Sequence, residues 1–135
     1  MRVAGVFIPV TDLQRSMAWY EKWFGLELVS GGKGMAGYKF PQGEALLALV
    51  QVEKQQGVQF ELSEGNHNCY FNFETVNIEA VHRSFMEQGV QVTEIFGGDT
   101  LRIFHMFDLD GNRLDVVEET PKSPFYRHAA GKESW

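Results

Sequence analysis

The sequence has little sulfur chemistry and no long apolar run. Its 135 residues include one cysteine, Cys69, so no disulfide can form within the chain and cysteine thiolates alone cannot build a zinc site. No apolar run approaches the roughly 20 residues that a membrane span requires. The opening segment MRVAGVFIPV lacks the long apolar region of a secretion signal. We therefore expect a soluble, cytoplasmic protein.

Basic residues are in the minority. The chain has 12 Lys and Arg against 18 Asp and Glu, a net charge of −6. Because non-specific nucleic-acid binding requires a basic face, we expect no nucleic-acid partner, and no membrane partner either. What the chain does have is 44% hydrophobic residues, which predicts a packed globular fold. Its length suits one domain.

The sequence repeats itself with an offset of about 65 residues. Each half begins with a strand-like run, Val3–Val10 in the first half and Cys69–Thr75 in the second. Each run leads into a helix start, Thr11-Asp12-Leu13 or Asn77, followed by an amphipathic pattern that a glycine ends. Three further strand patterns follow each helix. Each half therefore reads β-α-β-β-β.

The two halves predict a single α+β domain over residues 1–119. Module 1 covers residues 1–53 and module 2 covers residues 67–119. The polar segment 54–66 has no clear periodicity and is interpreted as a linker, and residues 120–135 form a C-terminal tail. Since neither half has enough core to be stable alone, we expect the two sheets to face each other.

An acidic turn lies inside the segment Phe104–Glu119, FHMFDLDGNRLDVVEE. Asp-Gly between two strand patterns is a strong hairpin signal, because glycine accepts the positive φ that tight turns need. The carboxylate and amide oxygens of the turn are also what hard cations prefer. Three interpretations follow: a cation loop, a hairpin, or a device that directs Asp115 into a site.

The segments VTDLQRSMAWYEKWFGLELV and FHMFDLDGNRLDVVEE resemble the two most recognisable segments of the vicinal oxygen chelate superfamily, which includes glyoxalases, bleomycin-resistance proteins and extradiol dioxygenases. The resemblance extends to about Glu119. It implies two βαβββ modules whose eight strands form a cleft-shaped mixed sheet, with a small-molecule site inside and frequent homodimers. It also implies that the acidic turn is structural and directs the following carboxylate inward. Leu109 stands where the family usually has proline.

The resemblance also implies where a divalent metal would bind. Catalytic members use one position on the first and last strand of each module, and these positions fall on Gly5, Ala48, Tyr70 and Asp115. Glycine and alanine have no ligating side-chain atoms, and a single aspartate cannot hold a catalytic cation. No histidine occurs before His67, so the usual first ligand is absent. We therefore expect no metal and no other cofactor.

Alternation along the strands extends these positions to a predicted ligand-binding set. The set combines apolar and aromatic side chains with polar anchors, which suits a small, partly aromatic ligand. Its members are Phe7, Ala48, Tyr70, Asn72, His105, Arg113 and Asp115. The resemblance places His105 where ring-cleaving dioxygenases carry an active-site Tyr. Against this, His105 could be a hydrogen-bonded core or rim residue, Phe7 and Tyr70 could fill the cleft themselves, and Arg113 with Asp115 could be a plain ion pair.

Two further polar residues have simpler interpretations. Alternation points Cys69 away from Tyr70, so Cys69 is expected to be a small core residue rather than a nucleophile. His82 is expected on the edge or solvent face of the second helix.

Three functions fit these patterns. The first is a metal-free binding protein that resembles the bleomycin-resistance branch and holds a small molecule without chemistry. The second is a metal-independent enzyme whose catalytic candidates are His105, Asp115 and Tyr70, since a histidine near a carboxylate suits proton transfer near neutral pH. The third is a metal-dependent lyase, isomerase or dioxygenase with an atypical ligand set, which the missing ligands disfavour. The sequence does not separate the first two.

Overall fold

The computed structural model describes residues 1–126, which contain two helices and ten strands. Residues 127–135, including His128 and Trp135 of the predicted tail, lie outside the described part. The elements in chain order are β1 (Gly5–Val10), α1 (Leu13–Phe24), β2 (Glu27–Gly32), β3 (Met35–Lys39), β4 (Leu46–Gln51), β5 (Gln59–Ser63), β6 (Asn66–Cys69), β7 (Asn72–Glu74), α2 (Ile78–Glu87), β8 (Phe96–Gly97), β9 (Leu101–Phe107) and β10 (Arg113–Glu119).

The chain divides into two compact units. Unit 1 contains residues 1–58 together with the short segment 108–112, and unit 2 contains residues 59–107 and 113–126. Each unit contains one β-α-β-β-β arrangement, with sheet order β1-β4-β3-β2 in unit 1 and β7-β10-β9-β8 in unit 2. The α+β class and the two βαβββ modules are therefore confirmed.

Unit 1 is a sheet with a helix on one face. β1 runs parallel to β4, and the other neighbours are antiparallel. The helix α1 packs on β3 and β4 and begins where Asp12 accepts a hydrogen bond from the backbone N–H of Arg15, which satisfies a donor of the first turn. Strand alternation buries one set of side chains with the helix residues Leu13 and Tyr20. The strand members of this core are Ile8, Val10, Ala36, Tyr38, Leu47 and Leu49.

Unit 2 repeats this plan. β7 is parallel to β10, and β10-β9-β8 are antiparallel neighbours. The helix α2 packs on β9 and β10, and Asn77 caps it by accepting from the backbone N–H of Ala80. The buried side chains between helix and sheet are Ile78, Phe85, Phe104, Met106, Leu114 and Val116. The opposite face of the sheet therefore carries the other half of each strand.

Two local expectations are wrong. The run Cys69–Thr75 is not one strand, because β6 ends at Cys69 and β7 begins at Asn72. The physical reason is pairing: β6 pairs with β5, whereas β7 pairs with β10, so the chain changes sheets between them. The segment 54–66 is not irregular throughout either, since β5 and β6 form an antiparallel hairpin across Glu64-Gly65.

The acidic turn closes the β9–β10 hairpin. Gly111 has φ 77°, the positive value that the Asp-Gly pattern predicts. Oδ1 of Asp108 accepts from the backbone N–H groups of Asp110 and Asn112. Oδ2 of Asp108 accepts from the side-chain amide of Asn112 and from the hydroxyl of Tyr20. Because four donors occupy this carboxylate, the turn is a hairpin support and not a cation loop.

Candidate binding site

A line of polar side chains crosses three neighbouring strands of unit 2. Asp115 on β10 is paired in register with Asn72 on β7 and with His105 on β9. Side chains directly opposite one another point to the same face of a sheet. Since α2 packs against the face that carries Phe104 and Leu114, these three residues lie on the other face. All three residues belong to the predicted ligand-binding set.

Asp115 is the centre of a hydrogen-bonded cluster. Its Oδ1 accepts from Nε of Arg113 at 3.0 Å and lies 2.7 Å from Nδ1 of His105. Its Oδ2 accepts from Nη2 of Arg113, also at 3.0 Å. Arg113 therefore binds the carboxylate through two parallel hydrogen bonds, the geometry that favours guanidinium over ammonium. The ion pair with Arg113, which was the alternative to a binding role for Asp115, is present together with the contact to His105.

The same cluster keeps Asp115 ionised. The residue is 3% exposed, and burial by itself would raise the pKa of its carboxyl group. The hydrogen bonds from Arg113 and His105, together with the positive charges of a protonated His105 and of Arg113, outweigh burial and leave the pKa of Asp115 below its ordinary value of 3.8. Asp115 is thus a buried carboxylate that accepts hydrogen bonds and offers no proton.

His105 is held through both its backbone and its imidazole ring. The backbone N–H of His105 donates to the hydroxyl of Thr93 at 2.9 Å, and its carbonyl accepts from the Thr93 N–H at 2.9 Å. The ring of Phe96 meets the imidazole edge to face, with centroids 5.1 Å apart. No local sequence pattern indicates Thr93 or Phe96, because both depend on how the segment before β9 lies beside that strand. The isolated pair Val92–Met106 and the short β8 lie on either side of this contact.

Cys69 lies next to the cluster but is not a nucleophile. Its thiol donates to the backbone carbonyl of Arg113, with Sγ and oxygen 3.3 Å apart. Burial and the neighbouring charge of Asp115 raise the pKa of the thiol to about 11. Because the thiolate is the reactive form, Cys69 is inert at neutral pH.

The remaining members of the predicted set are Tyr70, Phe7 and Ala48, which take no part in this hydrogen-bonded cluster. Tyr70 sits in the break between β6 and β7, is 72% exposed, and packs its ring against Phe60 with centroids 5.1 Å apart. No hydrogen bond among the described residues joins Tyr70 to His105 or Asp115. Phe7 and Ala48 are register partners on β1 and β4, within unit 1. The structure therefore brings together Asn72, His105, Arg113 and Asp115.

His82 is half-buried at the edge of α2 and not on its solvent face. Its Nε2 lies 2.7 Å from the carbonyl oxygen of Thr93, and its ring meets Phe104 edge to face. His82 is therefore a hydrogen-bonded residue on the helix side of the sheet, whereas His105 is on the other side.

The donor set does not fit the metal site that the resemblance implies. Gly5 and Ala48 have no donor atoms, and a side chain at Gly5 would meet the carbonyl oxygen of Leu46 at 3.1 Å. Tyr70 packs on Phe60, and both oxygens of Asp115 already accept hydrogen bonds. Within residues 1–126, no three His, Cys, Asp or Glu side chains are grouped to hold a metal ion.

A family model, described as Glyoxalase/Bleomycin resistance protein/Dioxygenase superfamily, matches residues 2–116. No curated protein matches the sequence. Over the part of the chain that the structure describes, no helix is long and apolar enough to cross a membrane.

Several solved structures have a similar fold. A member of the same superfamily from Sphaerobacter thermophilus DSM 20745 has a TM-score of 0.70 at 20% identity, with 88% of this chain and 98% of that chain covered. An antibiotic binding protein from Streptomyces sp. CB03234 has a TM-score of 0.68 at 17% identity, with 89% and 97% covered. A lactoylglutathione lyase from Agrobacterium tumefaciens has a TM-score of 0.66 at 18% identity, with 87% and 92% covered. At these identities the likeness shows the fold alone.

Proposed function

Because the chain belongs to the Glyoxalase/Bleomycin resistance protein/Dioxygenase superfamily, we propose that it binds a small, partly aromatic molecule without a resident metal. The site is the sheet face of unit 2 that carries Asn72, His105 and Asp115. One observation carries the proposal: the carboxylate at the family's fourth metal position is fully engaged by Arg113 and His105. A carboxylate whose two oxygens already accept hydrogen bonds is poorly placed to bind a cation. Asp115 instead orients Arg113 and His105, which can contact an organic ligand.

The chemistry of this face supports an aromatic ligand. The ring of Phe96 is half exposed and stands beside His105, and Asn72 is exposed on β7, the other edge strand of the same sheet. Aromatic surface supplies stacking, and a few convergent polar groups supply orientation. The exposed Phe7 and the neighbouring Ala48, in unit 1, remain predicted ligand contacts.

The same residues support a metal-free state. A divalent ion at Asp115 would have to displace the guanidinium of Arg113 and would find no donor at Gly5 or Ala48. Removing one partner from a buried ion pair leaves an unpaired buried charge, which is strongly unfavourable. We therefore propose that neither a divalent metal nor another cofactor is required for binding.

A metal-independent enzyme is the second candidate. The observation that favours it is the 2.7 Å contact between His105 and a carboxylate that stays ionised, which is the arrangement of a general base and the group that orients it. The fold occurs in both kinds of protein, since an antibiotic binding protein and a lactoylglutathione lyase share it. Tyr70 contributes less to this candidate, because its ring is exposed and packs on Phe60.

A ligand screen tests the binding function. Neutral aromatic compounds should raise the melting temperature more than phosphorylated or dicarboxylate metabolites do, because a ligand that binds only the folded state stabilises it by mass action, by about 2.7 kcal/mol at a hundred times its dissociation constant. A screen in which only the anions stabilise the protein would contradict the proposal.

Three substitutions then separate the two candidates. His105→Ala, Asp115→Asn and Tyr70→Phe are compared with wild type by calorimetric titration of the best aromatic compound. We expect the first two to weaken binding by roughly tenfold or more, because a buried polar partner is lost. For an enzyme, turnover would fall by about 10²–10⁴-fold while affinity changed less. Binding equal to wild type in all three would place the site elsewhere.

A further inference from the structure

The ionised state of Asp115 fixes which nitrogen of His105 carries a proton. Arg113 donates to both carboxylate oxygens of Asp115, and Nδ1 of His105 lies 2.7 Å from Oδ1. A carboxylate can only accept hydrogen bonds. A bare Nδ1 at this distance would place two lone pairs against each other, so Nδ1 must be the donor.

The opposite nitrogen then has a defined role. In a neutral imidazole one nitrogen donates and the other accepts, so Nε2 is an acceptor whenever His105 is neutral. Among the described residues, no group forms a hydrogen bond with Nε2. The contact with Phe96 is through the ring and leaves this nitrogen without a polar partner.

We propose that the ligand presents a hydrogen-bond donor, a neutral phenol or a ring N–H group, to Nε2 of His105, and that Arg113 is the positioning residue behind this preference. The inference rests on the proposed function, because it concerns the same sheet face. It narrows the ligand from any small aromatic molecule to one with a donor on the ring. Arg113 acts indirectly: it holds Asp115 as a carboxylate, and a carboxylate can only accept a hydrogen bond from His105.

The protein contains an internal control for the proton position. Nε2 of His82 lies 2.7 Å from the carbonyl oxygen of Thr93, and a carbonyl also can only accept. His82 must therefore carry its proton on Nε2, the reverse of His105. Both histidines contact Thr93. The ring of His82 meets the Thr93 carbonyl, and the backbone N–H of His105 donates to the Thr93 hydroxyl.

The first test needs no ligand. Long-range ¹⁵N–¹H correlation spectra of ¹⁵N-histidine protein distinguish the two neutral imidazole tautomers. They are recorded at about pH 8, above the range in which free histidine is protonated. His105→Gln and His82→Gln assign the signals by their disappearance. We expect a proton on Nδ1 for His105 and on Nε2 for His82. A proton on Nε2 of His105 would overturn the inference whatever the ligand is.

The second test uses matched probes that differ by one donor. The pairs are 2-naphthol with 2-methoxynaphthalene, and indole with N-methylindole. Added methyl groups make the second member of each pair more apolar and would favour its burial. If Nε2 is the acceptor, wild type should nevertheless bind the donor of each pair about tenfold more tightly, because the methylated compound leaves Nε2 unpaired.

Two variants test whether the preference for hydrogen-bond donors depends on His105 and Arg113. His105→Phe keeps an aromatic ring and removes the acceptor, so the methylated compounds should bind at least as tightly as the donors. Arg113→Lys keeps the charge but not the two parallel hydrogen bonds, so the Nδ1–H signal of His105 should weaken in the tautomer spectrum.

The outcomes distinguish this inference from the proposed function. Equal binding of both members of each pair by wild type would overturn the inference while leaving the binding function in place. No binding of any probe would contradict both. Tighter binding of the donors, lost in His105→Phe, would support both.

Discussion

The hydroxyl of Tyr20 donates a hydrogen bond of 2.6 Å to Oδ2 of Asp108, 88 positions later in the chain. Both groups are buried. Burial raises the pKa of the Asp108 carboxyl group despite the hydrogen bonds that it accepts. Burial and the charge of Asp108 also raise the pKa of the Tyr20 hydroxyl well above its ordinary value. The hydrogen bond is therefore between a phenol that keeps its proton and a carboxyl group that is costly to ionise.

Tyr20→Phe should lower the free energy of unfolding by about 1–3 kcal/mol, because Asp108 loses one of its donors inside the fold. Tyr70→Phe is the matched control, since it removes the same atom from a ring that is 72% exposed. Urea unfolding of both variants measures the difference. Equal stability of the two variants would show that the contact with Asp108 contributes nothing.

Gly97→Ala should destabilise the protein by about 2 kcal/mol or more, because φ at Gly97 is 122°, a region that side chains rarely adopt. A methyl group there would also overlap the carbonyl oxygen of Leu101. Gly98→Ala is the control, since nothing lies within 4 Å of a methyl group at that position. Thermal unfolding checks both, and the His105 signals should shift only in Gly97→Ala because the adjacent Phe96 touches that ring.

Asp115→Asn should cost about 3 kcal/mol at pH 7, because a buried ion pair loses one partner. The folded-state pKa of Asp115 is lowered, so its contribution to stability is present above about pH 3.8 and is lost as the pH falls through the folded value. The difference in the free energy of unfolding between wild type and Asp115→Asn should therefore become smaller at acid pH. Asp99→Asn is the control, since Asp99 is exposed and pairs with Lys122 at 3.5 Å; its effect should stay within about 0.5 kcal/mol. A gap independent of pH would contradict the prediction.

The protein should purify without a stoichiometric divalent metal, because Gly5 and Ala48 lack donors and Asp115 is occupied. Elemental analysis after gentle purification measures this. About one Ni, Zn, Fe or Mn per chain, lost in Asp115→Asn, would contradict the metal-free proposal.

We expect a homodimer in solution. Phe7, Met35 and Leu46 are exposed on the sheet face of unit 1 opposite α1, and exposed apolar surface of this kind tends to be covered. Light scattering at micromolar concentration measures the mass. A mass of 15.4 kDa, that of one chain, would contradict the expectation.

Much of the candidate site could be predicted because strands alternate with a fixed period. Once Asp115 is assigned to a strand that follows a hairpin turn, Arg113 must share its face, and pairing brings in His105. The helix starts at Asp12 and Asn77 were equally readable, since capping is a local interaction.

The parts that were missed depend on contacts distant in sequence. Tyr70 looks like a strand residue locally, but its segment joins two different sheets. Phe96 and Thr93 reach His105 through a stretch with only one isolated pair and a two-residue strand. No local pattern indicates that Tyr20 would meet Asp108, because the partners are separated by most of the chain.

Because the segment 108–112 belongs to unit 1, no single break in the chain yields two fragments that each contain one complete unit. A gene fragment ending at residue 58 would encode the helix with Tyr20 but not Asp108, its acceptor. The complementary fragment would carry Asp108 and Asn112 without Tyr20 or the Pro9 carbonyl, to which Asn112 donates at 2.9 Å. Although the two halves look like copies, each fragment would encode part of what the other half needs to fold.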